Sequence, residues 1–358
     1  MNIIILYGGK SAEHEISILS ANNVFNYLDK KRYSPILIKI DKEGNWLTDK
    51  EFLIHNNFSE IKNISDFKPL DKIMLSPRSK YPFVLNTDDI ISFGADAVFP
   101  VLHGPNGEDG SVQGVLKTLN IPFVGPSVLG SAVGMDKEVM KRLLKEGGIK
   151  IGDYITARYN EIPDFEQVKS KLGLPVYIKP ANMGSSVGIS KVTEQNQYID
   201  AINLAYQFDT KIVIEANITG REIECAIIGN EKPASSVPGE VIAYKDFYNY
   251  EAKYIDDKGY KLVIPAELEN GISDKIRDIA VRTFQILECE GLSRVDVFLD
   301  KNNEVIVNEI NTLPGFTKIS MYPMLWKESG IKYEELISKL IELAIDRHQR
   351  DSNLKMSI

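Results

Sequence analysis

Cysteine is scarce in this 358-residue chain: only Cys225 and Cys289 occur, without the spacing of a thiolate metal site. The shortage excludes a disulfide framework and suits a reducing compartment in which both thiols are buried and structural. Long apolar runs are also missing. The opening MNIIILYGGK falls far short of the roughly 18 residues that cross a bilayer, it lacks the basic flank of a signal peptide, and no later stretch is long enough. No membrane partner is expected, and the cytoplasm is the expected location. Positive charge is in deficit. A net charge of -8 argues against a nucleic-acid partner held by overall charge, although it leaves room for a local basic cleft that binds phosphates. Repeats, low-complexity tracts and heptads are absent.

What the chain does have is alternation of strands and helices over a length that accommodates two or three domains. Residues 3–6 read as a buried strand, followed by the Gly-rich YGGKSAEHEIS and a helix with the apolar stripe Ile18, Ala21, Phe25, Leu28. Further strands at 36–40 and 97–102 predict a parallel sheet, with ligands beyond the carboxyl ends of its strands, where Glu13 and His103 fall. Residues 43–90 are polar and irregular and read as an insertion or surface decoration. A boundary falls near 125, after which Met140, Leu143 and Leu144 form a helical stripe closed by Gly147 as C-cap. Strands follow at 175–179 and 212–215. A helix over 273–288 has Ser273 as its expected N-cap and the stripe Ile276, Ile279, Ala280, Phe284, Leu287.

The segments LSRVDVFLD (292–300) and VNEINTLPG (307–315) flank the polar turn KNNE and predict an antiparallel hairpin. Side chains alternate along a strand, so Arg294 and Asp296 share one face and Glu309 and Asn311 share another. Pairing Asp300 with Val305 and counting inward sets Asp296 opposite Glu309 and Arg294 opposite Asn311, with side chains about 5 Å apart. Two facing carboxylates need compensation by water, a raised pKa or a cation. A hard divalent ion such as magnesium suits these oxygens. On the hairpin alone, a plain solvated strand face stays equally open.

Three other segments carry candidate chemistry. KPANMGSSVG (179–188) places Lys179 before a turn of small residues whose N–H groups and hydroxyls, at Ser185 and Ser186, suit phosphate oxygens; a flexible surface turn is the other reading. It is neither the P-loop nor the GxGxxG pattern. IEANITGREIE (214–224) offers Glu215 and Glu222 for ribose hydroxyls, or merely as exposed acids at strand ends. DFYNYEAKYIDDKGY (246–260) mixes rings with charges, as a lid does, and as tyrosines packed on a neighbouring surface also do.

Together GGKSAEHEIS, LHGPNGEDGSVQG, GPSVLGSAVGMDK, KPANMGSSVG, FYNYEAKY, RVDVF and NEINTLPGFT resemble, in order, the motifs of the D-alanine:D-alanine ligases of the ATP-grasp superfamily. The likeness covers nearly the whole chain except 43–90. It implies an α/β fold with α+β character toward the C-terminus and three domains: 1–125 with a parallel sheet, 126–217 and 218–350, the last two gripping ATP between antiparallel sheets. Lys137, Lys179 and Ser186 would then bind ATP phosphates, and Glu215, Asn217, Ile218, Glu222 and Phe247 the adenosine. Asp296, Glu309 and Asn311 would hold a pair of magnesium ions, with manganese as a substitute.

Through the same resemblance Glu13 receives the ammonium of the first D-alanine, with His103 beside it. Arg294 and the Gly315 N–H stabilise an oxyanion, and Ser320 and Met321 grip the second carboxylate. Lys253 and Tyr254 belong to the lid, near Ser185. The implied reaction is ATP-dependent joining of two D-alanines through an acyl phosphate, for peptidoglycan precursors, in a homodimer. Tyr254 favours an amine nucleophile over D-lactate, whereas Lys318 and Ile319 depart into a variable stretch and leave the second-carboxylate donors open. D-serine as second substrate, a dehydrogenase on the N-terminal strand and a nucleotide sensor are the competing readings. GGKSAE lacks the third glycine of a dinucleotide fingerprint, and a sensor has little need for Arg294 and Glu13.

Overall fold

The computed structural model describes residues 1–55, 61, 63–77, 79–86, 90–243 and 259–355. In β1 (Asn2–Gly8) the run Ile3, Ile4, Ile5, Leu6 is fully buried, as expected for a strand covered on both faces. It pairs in parallel with β2 (Ser34–Ile40) and β7 (Ala97–Val101), and α1 (His14–Tyr27) packs Ala21, Val24 and Phe25 into the core. Helix α3 (Ser111–Thr118) buries Val112 and Leu116 in a second cluster with Ile4 and Leu6.

Residues 43–90 correct the expectation of surface decoration. They supply β3 (Trp46–Thr48), α2 (Lys50–His55), β4 (Asp71–Leu75), β5 (Phe83–Asn86) and β6 (Ile90–Phe93), which continue the first sheet in antiparallel fashion to the order β6-β5-β4-β3-β2-β1-β7. The sequence hides them because these strands are only three to five residues long and carry no polar–apolar alternation, even though β4 and β6 alternate between half-buried and exposed positions.

A four-stranded antiparallel sheet follows, in the order β10-β9-β11-β8, from β8 (Tyr154–Arg158), β9 (Val176–Pro180), β10 (Ser190–Val192) and β11 (Lys211–Ala216). Phe165 and Val168 of α6 (Phe165–Leu172) and Ile202 of α7 (Tyr198–Tyr206) cover it. Before it lie α4 (Val128–Met135) and α5 (Lys137–Glu146), the latter closing at Gly147 as expected.

The third sheet contains β12 (Arg221–Gly229), β13 (Ala234–Ser235), β14 (Gly239–Ala243), β15 (Tyr260–Val263), β16 (Gly291–Leu299) and β17 (Val305–Asn311). The helix Ile272–Ile286 presses Ile276, Ala280 and Phe284 against Ile223, Cys225, Val295 and Val297. It starts two residues earlier than a serine cap at 273 predicts: Gly271, at φ +81°, is the N-cap, because a residue without Cβ turns there without strain, and Ser273 falls inside the first turn. Both cysteines are free and buried.

The C-terminal helices Met321–Glu328 and Tyr333–Ser352 return to the first sheet, so that Leu336, Ile337 and Leu340 share a core with Ile3, Ile5, Phe25 and Phe99. Arg347 is buried in this return. It donates from Nη1 to the Gly125 carbonyl at 2.5 Å and from Nη2 to the Phe123 carbonyl at 2.7 Å. Replacing Arg347 with Met keeps the stem but leaves both carbonyls without a charged donor, and is expected to cost about 3 kcal/mol. Chemical denaturation reads this; a midpoint unchanged from the wild type would show that the clamp contributes nothing.

Candidate active site

The hairpin builds the floor of the site. Arg294 pairs with Asn311 and Asp296 with Glu309, the partners that counting predicts, but the ladder reaches them differently. Leu299, not Asp300, faces Val305, and the one-residue error is absorbed by a bulge: Val297 faces Val307 while Asp296 faces Glu309, so Asn308 is the extra residue. The apolar face of β16 is buried and its polar face half-buried, as alternation requires.

Arginine answers the like charges first. Arg294 donates from Nε and Nη2 to the two Asp296 oxygens at 2.7 Å each, and its Nε lies 2.8 Å from Glu224. Burial alone would weaken its protonation, but Asp296 and Glu224 outweigh that and drive its pKa far up. Asn311 donates its amide N–H to Asp296 at 2.8 Å, and the Lys137 ammonium stands 3.8 Å from Glu309. The cluster thus holds three carboxylates against two cations. Its surplus negative charge and oxygen donors fit a hard divalent ion. Among the described residues no group of three or more His, Cys, Asp or Glu side chains is arranged to hold a metal unaided.

Two buried lysines converge above this floor from different elements. Lys179 is the penultimate residue of β9 and pairs with Glu215 at 2.5 Å; Lys137 opens α5, donates to the Met183 carbonyl at 2.6 Å and sits at the electropositive end of a helix. Their electrostatics differ. Burial pushes the Lys137 ammonium below the ordinary lysine value and Glu309 only partly offsets it, whereas at Lys179 the nearby Glu215 outweighs burial and the pKa rises. Lys137 is therefore the cation with most to gain from an anion. Glu215 is committed to Lys179 and to Lys141 at 3.1 Å, and these lysines overcome burial to pull it down to about 2. It lines the cavity with Asn217, Ile218 and Glu222, yet its charge faces lysines.

Ser185 and Ser186 both adopt left-handed backbone, at φ 50° and 60°, which bends the loop into a concave turn over the lysines. The Ser185 hydroxyl donates to Glu13, which is 7% exposed and precedes α1. His103 is buried nearby, with Nδ1 3.1 Å from the Leu313 carbonyl, Nε2 3.3 Å from Ser20 Oγ and Glu108 at 3.9 Å. Burial lowers the imidazole pKa, but Glu108 and Glu13 more than reverse this; burial raises the Glu108 carboxyl, with Glu13 adding to the rise. A Cβ at Gly104 would lie 2.8 Å from Glu13 Oε2, so glycine is required beside this carboxylate.

The far end is formed by Gly315 and Ser320. A Cβ on Gly315 would meet Ser320 Oγ at 2.8 Å, and that hydroxyl accepts from the Thr317 N–H at 2.9 Å. The Met321 side chain is buried in the core, so only its backbone N–H, in the first helical turn, is available to a ligand. Apart from Lys141, Ser20 and Gly104, which support it from behind, these groups border one cavity of about 370 Å³. Phe247, Lys253 and Tyr254 lie outside the described residues.

Sequence reasoning passed over Glu108, Lys141, Glu224 and Asn308. Lys141 follows Lys137 by four residues and so shares its helix face. Glu224 follows Glu222 by two and faces Asp296 across the ladder. Glu108 lies within the quoted LHGPNGEDG. Asn308 carries no signal of its bulge.

Models of the families described as D-ala D-ala ligase N-terminus and D-ala D-ala ligase C-terminus match residues 2–126 and 143–342. The chain is 53% identical to the D-alanine–D-alanine ligase of Oceanobacillus iheyensis over 357 residues, covering 99% of this chain and 97% of that one. Among solved structures, the D-alanine-D-alanine ligase of Coxiella burnetii matches with a TM-score of 0.84 at 36% identity, over 98% of this chain and 96% of that one. The Bacillus anthracis ligase complexed with ATP matches with a TM-score of 0.73 at 26% identity, over 98% and 99% of the two chains.

The raised His103 pKa has a stability consequence. Below its ordinary value of 6.5 the imidazole is protonated whether the chain is folded or not, and its contribution is complete. As pH climbs through the raised folded value that contribution is lost, and burial of Glu108 acts in the same sense from 4.5 upward. The Tm should therefore fall between pH 6.5 and the folded value, and His103→Gln should flatten this part of the curve. An equally steep fall in the variant assigns the effect to another group.

Proposed function

The chain belongs to the D-alanine–D-alanine ligase family and has its ATP-grasp fold, and from that premise we propose that it joins two D-alanine molecules at the expense of ATP to supply peptidoglycan synthesis. The observation that carries this reading is the convergence of Lys137, Lys179 and the Ser185–Ser186 turn over an acidic floor, beside Glu13 in the same cavity.

In this reading the lysines and the turn hold the triphosphate, and Glu13, steadied by Ser185, receives the ammonium of the first D-alanine. That substrate's carboxylate oxygen attacks the γ-phosphorus, ADP leaves, and an acyl phosphate forms. The free amine of the second D-alanine attacks the acyl carbon. The carbonyl oxygen becomes an oxyanion facing Arg294 and the Gly315 N–H, phosphate departs with the bonding pair, and the amine's surplus proton is lost. Ser320 and the Met321 N–H orient the second carboxylate, so that the encounter is intramolecular in effect. His103 and Glu108 fix the wall behind Glu13.

Asp296, Glu309 and Asn311 would hold magnesium, which when bound supplies neutralisation of phosphate charge. Lys253 and Tyr254 as lid residues, Phe247 at the adenine, division of the chain at 125 and 217, and a homodimer enter the proposal from the family resemblance.

Phosphate release in the presence of ATP and magnesium is expected with D-alanine and not with L-alanine, and mass spectrometry should return the D-alanyl-D-alanine dipeptide in preference to products with D-serine or D-lactate. Asp296→Ala and Glu309→Ala should each lower turnover at least roughly 100-fold with the fold intact, and a chelator should silence the wild type. Normal turnover in both variants would falsify the assignment of the acidic floor.

A further inference from the structure

The two elements at the phosphate end of the cavity, Lys137 at the start of α5 and the loop after β9, hang from one short segment leading into β11. Asp209 Oδ2 accepts from the Asn182 backbone N–H at 2.8 Å and from its amide Nδ2 at 2.9 Å, which fixes where the loop leaves the strand. Two residues on, buried Lys211 sets its ammonium 2.7 and 2.5 Å from the Asp136 oxygens and 2.9 Å from Glu138. Asp136 is the N-cap of α5, with Oδ1 accepting from the N–H groups of Glu138 and Val139 at 3.1 Å each, so the lysine secures the helix end that carries Lys137.

Backbone bonds close the brace. The Lys137 N–H donates to the Ala181 carbonyl at 3.0 Å, the Ala181 N–H to the Lys211 carbonyl at 2.9 Å, and the Lys211 N–H to Asp209 Oδ1 at 3.1 Å. Phe208, next in the same segment, fills the space beside Gly188, where a Cβ would lie 2.7 Å from its ring. Neither Asp209 nor Lys211 borders the cavity.

We propose that Asp209 and Lys211 are positioning residues that set the separation between Lys137 and the Ser185–Ser186 turn, and thereby the affinity for the terminal phosphates, without touching them. This deepens the ATP-site reading and rests on it. The physical reason is preorganisation: a loop and a helix end fixed beforehand lose little freedom when the anion arrives, whereas unfixed ones must be ordered by binding.

Asp209→Ala in the full chain tests it. The KM for ATP and the Kd for ADP are expected to rise roughly tenfold, the loss typical of hydrogen bonds to a charged group. The kcat and the KM for D-alanine should stay within about twofold, because the acyl-acceptor groups are not braced here. Asp209→Asn retains an acceptor oxygen for Asn182 and should recover most of the affinity. Lys211→Met strands two acids away from water and can fail to fold, so the Asp209 pair carries the test. Unchanged nucleotide affinity in Asp209→Ala, or an equal worsening of kcat and of both KM values with a lowered Tm, overturns the proposal. Lys137→Ala separates the two failures. If it loses ATP affinity while Asp209→Ala does not, only the brace is wrong; if neither loses it, the ATP-site reading fails.

Discussion

Two carboxylates face each other across a β-ladder, Asp296 against Glu309, and the arrangement of the site follows from how that repulsion is met. Arg294 binds Asp296 through both oxygens, and Lys137 reaches Glu309 from a helix of another layer. The second contact ties the helix that opens the central sheet to the hairpin of the third. Buried charges of this kind are weak sources of stability, since desolvation consumes most of the attraction. Their value lies in the surplus they leave. A floor with more acid than base favours a cation, and the lysines above it favour an anion bound to that cation, which is the electrostatic profile of a metal nucleotide.

Lys137 and Lys179 show how neighbouring lysines acquire different roles. Lys179 has a carboxylate at 2.5 Å and remains well compensated, whereas Lys137 relies on a peptide carbonyl and a carboxylate at 3.8 Å. A phosphate oxygen therefore relieves Lys137 more than Lys179. Glu215 serves the site through Lys179, held from behind by Lys141.

Much of the fold was legible because its signals are periodic. The continuous apolar run of β1, the alternation in β16 and the stripe Ile276, Ala280, Phe284 each follow from one face being buried. Counting from the turn reached the facing pairs of the hairpin only because the misplaced start at Asp300 and the bulge offset each other by one residue. The bulge at Asn308 could not be read, because an inserted residue on an otherwise regular strand is set by the partner strand's register and not by its own chemistry. Strands β3 to β6 escaped notice for a related reason: half-exposed, three to five residues long, they resemble loops until a sheet edge is present to receive them. Lys141 and Glu224 were hidden because what defines them is a contact distant in the chain, and Glu108 because the loop that turns it back onto His103 has no periodic signal.

The Arg347 clamp bears on biosynthesis. Its acceptors on Gly125 and Phe123 are made 222 and 224 residues before the guanidinium that they await. At ordinary elongation rates the interval is roughly 10 to 45 s. Throughout it the nascent N-terminal sheet lacks the helix that brings Leu336 and Leu340 to Ile3 and Phe99, so part of its greasy underside emerges from the ribosome uncovered. The N-terminal sheet is sealed by a helix translated long after it, and its period of greatest exposure to aggregation is that interval of roughly 10 to 45 s.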